Sequence, residues 1–154
     1  MYYTIVALLM FAFPVLSIAY EATMHAPQLL MPLVGKWFVF WSVGVRLFLA
    51  GTRQVIQPKY TAQVILGLKS EESLLLVREL GFGNLALGTL GIISLFLPAW
   101  QLAAALAGGI FYGLAGVNHV LHQHRNRLQN TAMVSDLFAA AVLIAVCVAS
   151  VLGK

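Results

Sequence analysis

Charged residues are scarce in this sequence. Only 9% of its 154 residues are charged and 61% are hydrophobic, whereas a soluble domain carries about 25% charged residues. This composition excludes a water-soluble globular protein and predicts an integral membrane protein. The net charge of +4 then indicates membrane orientation, and no nucleic-acid partner is expected.

Cysteine and reaction motifs are nearly absent as well. The one cysteine, Cys147, lies within the apolar run AAAVLIAVCVASVLG, so we expect neither a disulfide nor thiolate chemistry. The sequence has no phosphate-binding glycine loop, nucleophile elbow or paired-cysteine motif. No nucleophile–base pair can be named, so the sequence leaves catalysis open, favours its absence and predicts no cofactor.

Long apolar runs, in contrast, are abundant. Four stretches have roughly the 20 apolar residues that a membrane-spanning helix needs, and arginines interrupt a fifth. Strand-like alternation of polar and apolar residues is missing. The sequence therefore predicts a single all-α domain over residues 1–154, a five-helix transmembrane bundle with a four-helix core and an N-terminal helix. The predicted helices are residues 2–20, 36–57, 70–97, 100–122 and 131–152.

Two of these boundaries rest on specific residues. The tripeptide SIA before Tyr20 is also typical of a signal-peptide cleavage site, but the opening MYYT has no basic residue, so we expect a retained helix. Pro27 and Pro32 predict that residues 21–35 form a linker without a continuous helix.

Basic residues predict the orientation. Six of them lie on one predicted face of the membrane and only Lys36 and Lys154 on the other. The positive-inside rule places the N-terminus in the cytoplasm and the C-terminus in the periplasm, in a bacterial inner membrane. The six are Arg53, Lys59, Lys69, Arg78, Arg125 and Arg127.

Ionisable residues within the spans are the main candidates for function. From the predicted outer helix ends, Arg53 lies at roughly 25 Å, Glu79 at about 27 Å, His119 at about 28 Å and Asp136 at about 24 Å. Arg53 can then be neutralised by Glu79 or Asp136, beside His119. There are two alternatives to this ion pair. Arg53 extends to the lipid headgroups (snorkelling), or these residues form a site for a ligand or a proton.

Arg46 lies deeper, at roughly 15 Å, the predicted bilayer midplane, on the same helix face as Arg53. No acid shares that predicted depth, so Asn84 and Tyr112 are its nearest candidate partners. The Glu79 side chain would reach Arg46 only by leaning toward the membrane centre. The guanidinium N–H groups of Arg46 need acceptors, which come either from this polar network or from a cavity that holds water or the anionic head of a ligand. The predicted site comprises Arg46, Arg53, Glu79, Asn84, Tyr112, Asn118, His119 and Asp136.

Small residues and histidines complete the pattern. Gly109 and Gly113 on one helix, and Gly81 and Gly88 on another, predict close helix packing, either within the chain or against other subunits. His119 and His122 share a helix face, but no cysteine or carboxylate stands at ligand spacing, so no metal is predicted.

The stretch RELGFGNLALGTLG, residues 78–91, resembles a family of small multi-pass bacterial membrane proteins of unknown function. The shared pattern is a basic residue, an acid, Gly-Phe-small-Asn and a Leu/Gly-rich helix. The resemblance continues through Gln57-Pro58, through GVNH at 116–119 and through Asp136, covering about residues 37–151. The family often has a histidine shortly before the helix 2 proline; this chain has RQVIQP, so a role for that histidine does not transfer. The chain is also loosely similar to four-helix families linked to quinone and sulfur metabolism, which is a likeness of fold only.

Two functions are compatible with these observations. The favoured one is a non-catalytic accessory or assembly subunit of a larger membrane complex, docked through the glycine-rich faces. The alternative is a binder or carrier of a quinone, lipid or anion that uses Arg46, Glu79 and Asn84. The lipid bilayer is a partner in both cases.

Overall fold

The structure is built from helices. A computed structural model describes residues 2–24 and 30–153. Within these residues, five helices are long and apolar enough to cross a membrane, and no strand is present, which confirms the all-α fold. The helices are α1 (Tyr2–Met24), α2 (Leu30–Ile56), α3 (Glu72–Ile93), α4 (Gln101–Leu121) and α5 (Arg127–Leu152).

Helix α2 begins at Leu30, six residues before the predicted start. Pro32 lies in its first turn, where the missing N–H costs no hydrogen bond because the first helical N–H groups have no partner within the helix. The interpretation of Pro32 as a helix stop was therefore wrong. The corresponding prediction for Pro27 lies outside the described residues.

Helix α5 also begins earlier than predicted, at Arg127. The Asn126 side chain accepts from the Gln129 backbone N–H, and the Gln129 side chain accepts from the Asn126 N–H. This reciprocal capping satisfies two backbone N–H donors at the helix start and explains the extra turn.

The helices pack as two antiparallel pairs. Helix α2 runs along α3, α4 runs along α5, and α1 lies against α2 and α5. The most apolar part of α1 is only 22% buried, the lowest share of the five. The arrangement agrees with a four-helix core and a peripheral N-terminal helix.

Glycines hold the paired helices close together. A Cβ at Gly91 would lie 2.5 Å from the Gly44 backbone nitrogen, and a Cβ at Gly51 would lie 2.7 Å from the Gly81 carbonyl oxygen. Only glycine permits this backbone approach between α2 and α3. Gly109 and Gly113 likewise face α5, where added Cβ atoms would lie 3.4 Å from Leu143 Cβ and 3.7 Å from Ala140 Cβ. The predicted packing glycines thus lie in interfaces within this chain.

Helix α2 widens into a π-helical stretch at Val39–Val45. The backbone N–H of Arg46, just after it, donates to the carbonyls of Trp41 and Val43 rather than to Ser42, its α-helical partner. The released Ser42 carbonyl accepts a hydrogen bond from the Tyr112 hydroxyl of α4. Such π-helical turns are frequent at functional sites, and this one fixes Tyr112 against α2.

Two connections meet at one end of the bundle. Asn126 Nδ2 donates to the Ile65 carbonyl at 2.9 Å, which joins the α4–α5 loop to the α2–α3 connection. Arg125 donates to the carbonyls of His119 and Val120 and so caps the end of α4. The segment 57–71 and the loop 122–126 therefore cover the same end.

Candidate functional site

All five helices line one partly open cavity of about 250 Å³. Residues of the π-helical turn Tyr60–Ile65 form part of its wall at the end where the two connections meet. The wall is mostly apolar, yet it brings together six of the eight predicted site residues. These are Arg46, Arg53, Asn84, Tyr112, His119 and Asp136.

Arg46 forms an ion pair with Asp136. Its Nη2 atom lies 2.8 Å from Asp136 Oδ1, and the two side chains are only 12% and 10% exposed. The same nitrogen donates to Ser135 Oγ at 3.0 Å. The expectation that no acid shares the depth of Arg46 was wrong, because α2 starts at Leu30. From that end Arg46 lies at roughly 24 Å, which equals the distance of Asp136 from the end of α5 at Leu152.

Further contacts hold the Arg46 guanidinium in place. It lies 4.9 Å from the centroid of the Tyr112 ring, within cation–π range. Nη1 approaches the Met10 sulfur at 3.3 Å. The Tyr112 hydroxyl is itself bound to the Ser42 carbonyl, so the ring is fixed beneath the charge. Arg46 therefore has an acidic partner, a hydroxyl, a sulfur and an aromatic ring within the protein.

Arg53 has a different environment. Its guanidinium carbon lies 3.5 Å from the centroid of the Tyr60 ring. Across residues 2–24 and 30–153, no carboxylate lies within 4.0 Å of it, so the predicted pairing with Glu79 or Asp136 was wrong. The reason is that Asp136 is already bound to Arg46 and Glu79 points away from the bundle.

Two amides face the same cavity. Asn84 Nδ2 donates to Gln54 Oε1 at 2.7 Å, which links α3 to α2. Asn84 is 4% exposed, and its Oδ1 atom has no hydrogen-bond partner in the described part of the chain. Sequence reasoning missed Gln54. The available signal was its position eight residues after Arg46, which puts both on one helix face.

Comparison with known protein families gives one match over nearly the whole chain. A family of unknown function, DUF6790, matches residues 1–152. The chain belongs to the DUF6790 family. Membership in a family of unknown function, which the stretch at residues 78–91 predicted, is confirmed and extends to α1, while bacterial origin stays a prediction. No curated protein and no solved structure matches this DUF6790 chain.

Glu79 and Asn118 of this DUF6790 protein are exposed and do not line the cavity, so their prediction as members of a buried network was wrong. Gly81 packs against Gln54 of α2, and Glu79 lies two residues earlier, about 200° around the helix. Gly116 packs against Leu137 of α5 and places Asn118 on the outer face in the same way.

The histidines divide between the cavity and the surface. His119 contributes to the cavity wall, whereas His122 and His124 are exposed in the α4–α5 loop. Within the described ranges, no three His, Cys, Asp or Glu side chains come together as a metal site would require. The polar groups of the cavity wall are thus two guanidiniums, one carboxylate, two amides, an imidazole, three phenols and a threonine hydroxyl.

Proposed function

We propose that this membrane protein binds a small amphiphile that carries one negative charge on its head. The observation that carries the proposal is the charge of the cavity wall. Arg46 and Arg53 contribute two positive charges, and Asp136 contributes one negative charge. Arg53 is half-buried, and an uncompensated charge beside a mostly apolar wall is unfavourable, so a monoanionic head would neutralise the site.

Arg53 is the residue that would bind the head. Arg46 already has Asp136, Ser135 and Met10 as partners, whereas Arg53 contacts Tyr60 through the face of its guanidinium. A face-stacked guanidinium keeps its in-plane N–H groups free for two oxygens of one acidic group. A carboxylate, sulfonate or phosphodiester would suit this geometry.

The rest of the cavity suits an apolar tail. Its volume of about 250 Å³ lies just below the ~300–1,000 Å³ typical of ligand pockets. The head and the first part of a chain would fit, with the remainder lying between helices or in the bilayer. The apolar wall includes Ile5, Val6, Leu47, Leu49, Leu80 and Phe111.

The other hypotheses from the sequence have less support. The subunit hypothesis relied on glycine faces for docking, and those glycines pack against the chain's own helices. A neutral quinone would leave the charge of Arg53 uncompensated. The head of an acidic amphiphile would neutralise the charge of Arg53, and its tail would contact the apolar lining of the cavity.

We further propose that the protein lies in a bacterial inner membrane with its N-terminus in the cytoplasm. The contact between Asn126 and Ile65 supports this, because it brings the two basic connections to one end of the bundle. Alkaline phosphatase fused to the C-terminus should be active, as expected for the periplasm. An inactive phosphatase fusion on a protein that still inserts into the membrane would contradict this orientation.

Binding of decanoate tests the main proposal. Wild-type protein, Arg53→Gln and Arg78→Gln would be placed in lipid nanodiscs, and bound decanoate would be counted by native mass spectrometry. Arg53→Gln should bind decanoate at least about tenfold more weakly, because it loses a charge-assisted contact. Arg78 is a matched control, since it is exposed on α3 and lies outside the cavity.

Two results would overturn the proposal. One is a folded wild-type protein that takes up no decanoate at millimolar concentration. The other is equal binding by wild type and Arg53→Gln. Loss of binding in Arg78→Gln as well would point to a general surface effect and would also contradict a site at Arg53.

A further inference from the structure

The carboxamide oxygen of Asn84 lacks a partner. Among the buried side-chain polar atoms of the described residues, Asn84 Oδ1 is the one without a hydrogen bond. Its amide nitrogen is taken by Gln54 Oε1, which orients the carboxamide and leaves the oxygen as the unused group. Folded proteins rarely keep a buried acceptor unpaired, since the group has lost its water without replacement.

Asn84 also forms part of the cavity wall, together with Gln54 and Arg53. The oxygen itself is covered in this structure, so a molecule in the cavity would donate to it only after the Asn84 carboxamide shifts toward the cavity. Gln54, the partner of Asn84, directly follows Arg53 in α2. The cavity therefore combines a guanidinium that needs an acceptor with a nearby oxygen that needs a donor.

We propose that Asn84 is a specificity-determining residue that selects amphiphilic acids bearing a hydroxyl group close to the acidic head. The inference rests on the proposed function, since Arg53 would anchor the acid. An ionised carboxylate offers only acceptors, so a plain fatty acid leaves Asn84 Oδ1 unpaired. A hydroxyl group supplies the missing donor, and a site built around such a bond rejects analogues that lack it.

A competition experiment tests this selection. Wild-type protein in nanodiscs would receive equal amounts of decanoate and 3-hydroxydecanoate, which native mass spectrometry separates by the mass of one oxygen. We expect about five times as many protein molecules to carry the hydroxy acid as carry decanoate, because one additional hydrogen bond stabilises the complex by about 1 kcal/mol. Because both acids compete in one sample, the protein concentration is the same for both, and empty nanodiscs would measure the difference in their partitioning into lipid.

Two variants assign the effect to Asn84. Asn84→Leu keeps the volume of the side chain and removes the acceptor, so the ratio of the two bound acids should fall to about one, whatever the total amount bound. Ser94→Ala is the matched control, because Ser94 lies on the same helix, is also 4% exposed and does not line the cavity. It should keep the wild-type preference.

The outcomes separate this inference from the proposed function. Equal binding of both acids by wild type would overturn it and indicate that a water molecule satisfies Asn84. A preference that persists in Asn84→Leu would also overturn it. Binding of neither acid would remove the proposed function itself. If Asn84→Leu does not fold, the ratio in wild type still decides.

Discussion

The Arg46 guanidinium and the Asp136 carboxylate lie 2.8 Å apart across the bundle, although 90 positions separate them in the chain. The pair joins α2 to α5 beside the cavity. Burying two charges is costly, and their attraction offsets that cost only if both partners are present. The stability of the bundle should therefore depend on the pair in a characteristic way.

Removing one partner should be far worse than removing both. Arg46→Leu should lower the free energy of unfolding by about 3–5 kcal/mol, because Asp136 is left as an unpaired buried charge. Arg46→Leu combined with Asp136→Leu should recover most of the loss, since two apolar groups replace the pair. Reversible unfolding in bicelles would measure Arg46→Leu, Asp136→Leu and the double variant, with exposed Arg78→Leu as control. Additive losses in the double variant would show that the two charges do not interact.

The hydrogen bond between Tyr112 and the Ser42 carbonyl predicts a second effect. Tyr112→Phe keeps the ring beneath Arg46 and removes only the hydroxyl, so the carbonyl released by the π-helical stretch loses its donor. The free energy of unfolding should fall by about 1–3 kcal/mol. Tyr3→Phe, at a 49% exposed position, should have no measurable effect. Equal stability of Tyr112→Phe and wild type would contradict this role for the hydroxyl.

Two glycines of α3 should respond oppositely to the same substitution. A Cβ at Gly88 would lie 2.7 Å from Phe48 Cα, so Gly88→Ala should force α2 and α3 apart and cost about 1–3 kcal/mol. Gly83 has open space around the corresponding position, so Gly83→Ala should gain up to about 1 kcal/mol from helix propensity. Thermal unfolding of both variants would check this. Destabilisation by Gly83→Ala would indicate that its face is covered in the membrane.

The five helices were predictable because run length and composition alone identify spans. The depth of Arg46 was not, because it depends on where α2 begins. Reading Pro32 as a stop shifted that start by six residues, about 9 Å. The error hid the level that Arg46 shares with Asp136.

The cavity wall was predictable in part. Arg46 and Arg53 are seven residues apart and share a helix face, so their common environment follows from helix geometry. The contact of Arg53 with Tyr60 depends on the conformation of the turn after Ile56, and the predicted helix end at residue 57 did not determine that conformation. The Ser42 carbonyl of the π-helical stretch accepts from Tyr112, 70 positions further along the chain, and such long-range pairing leaves no local signal.

The central claim is that the cavity holds an acidic amphiphile, and native mass spectrometry of the gently extracted protein tests it most directly. Ala115→Leu adds volume to the cavity wall without changing its charge, and Ala103→Leu makes the same change at an exposed position of α4 outside the cavity. Wild type and Ala103→Leu should each release one small acidic molecule per chain, and Ala115→Leu should release none. A wild-type protein without such a molecule, or an Ala115→Leu variant that retains it, would contradict the claim.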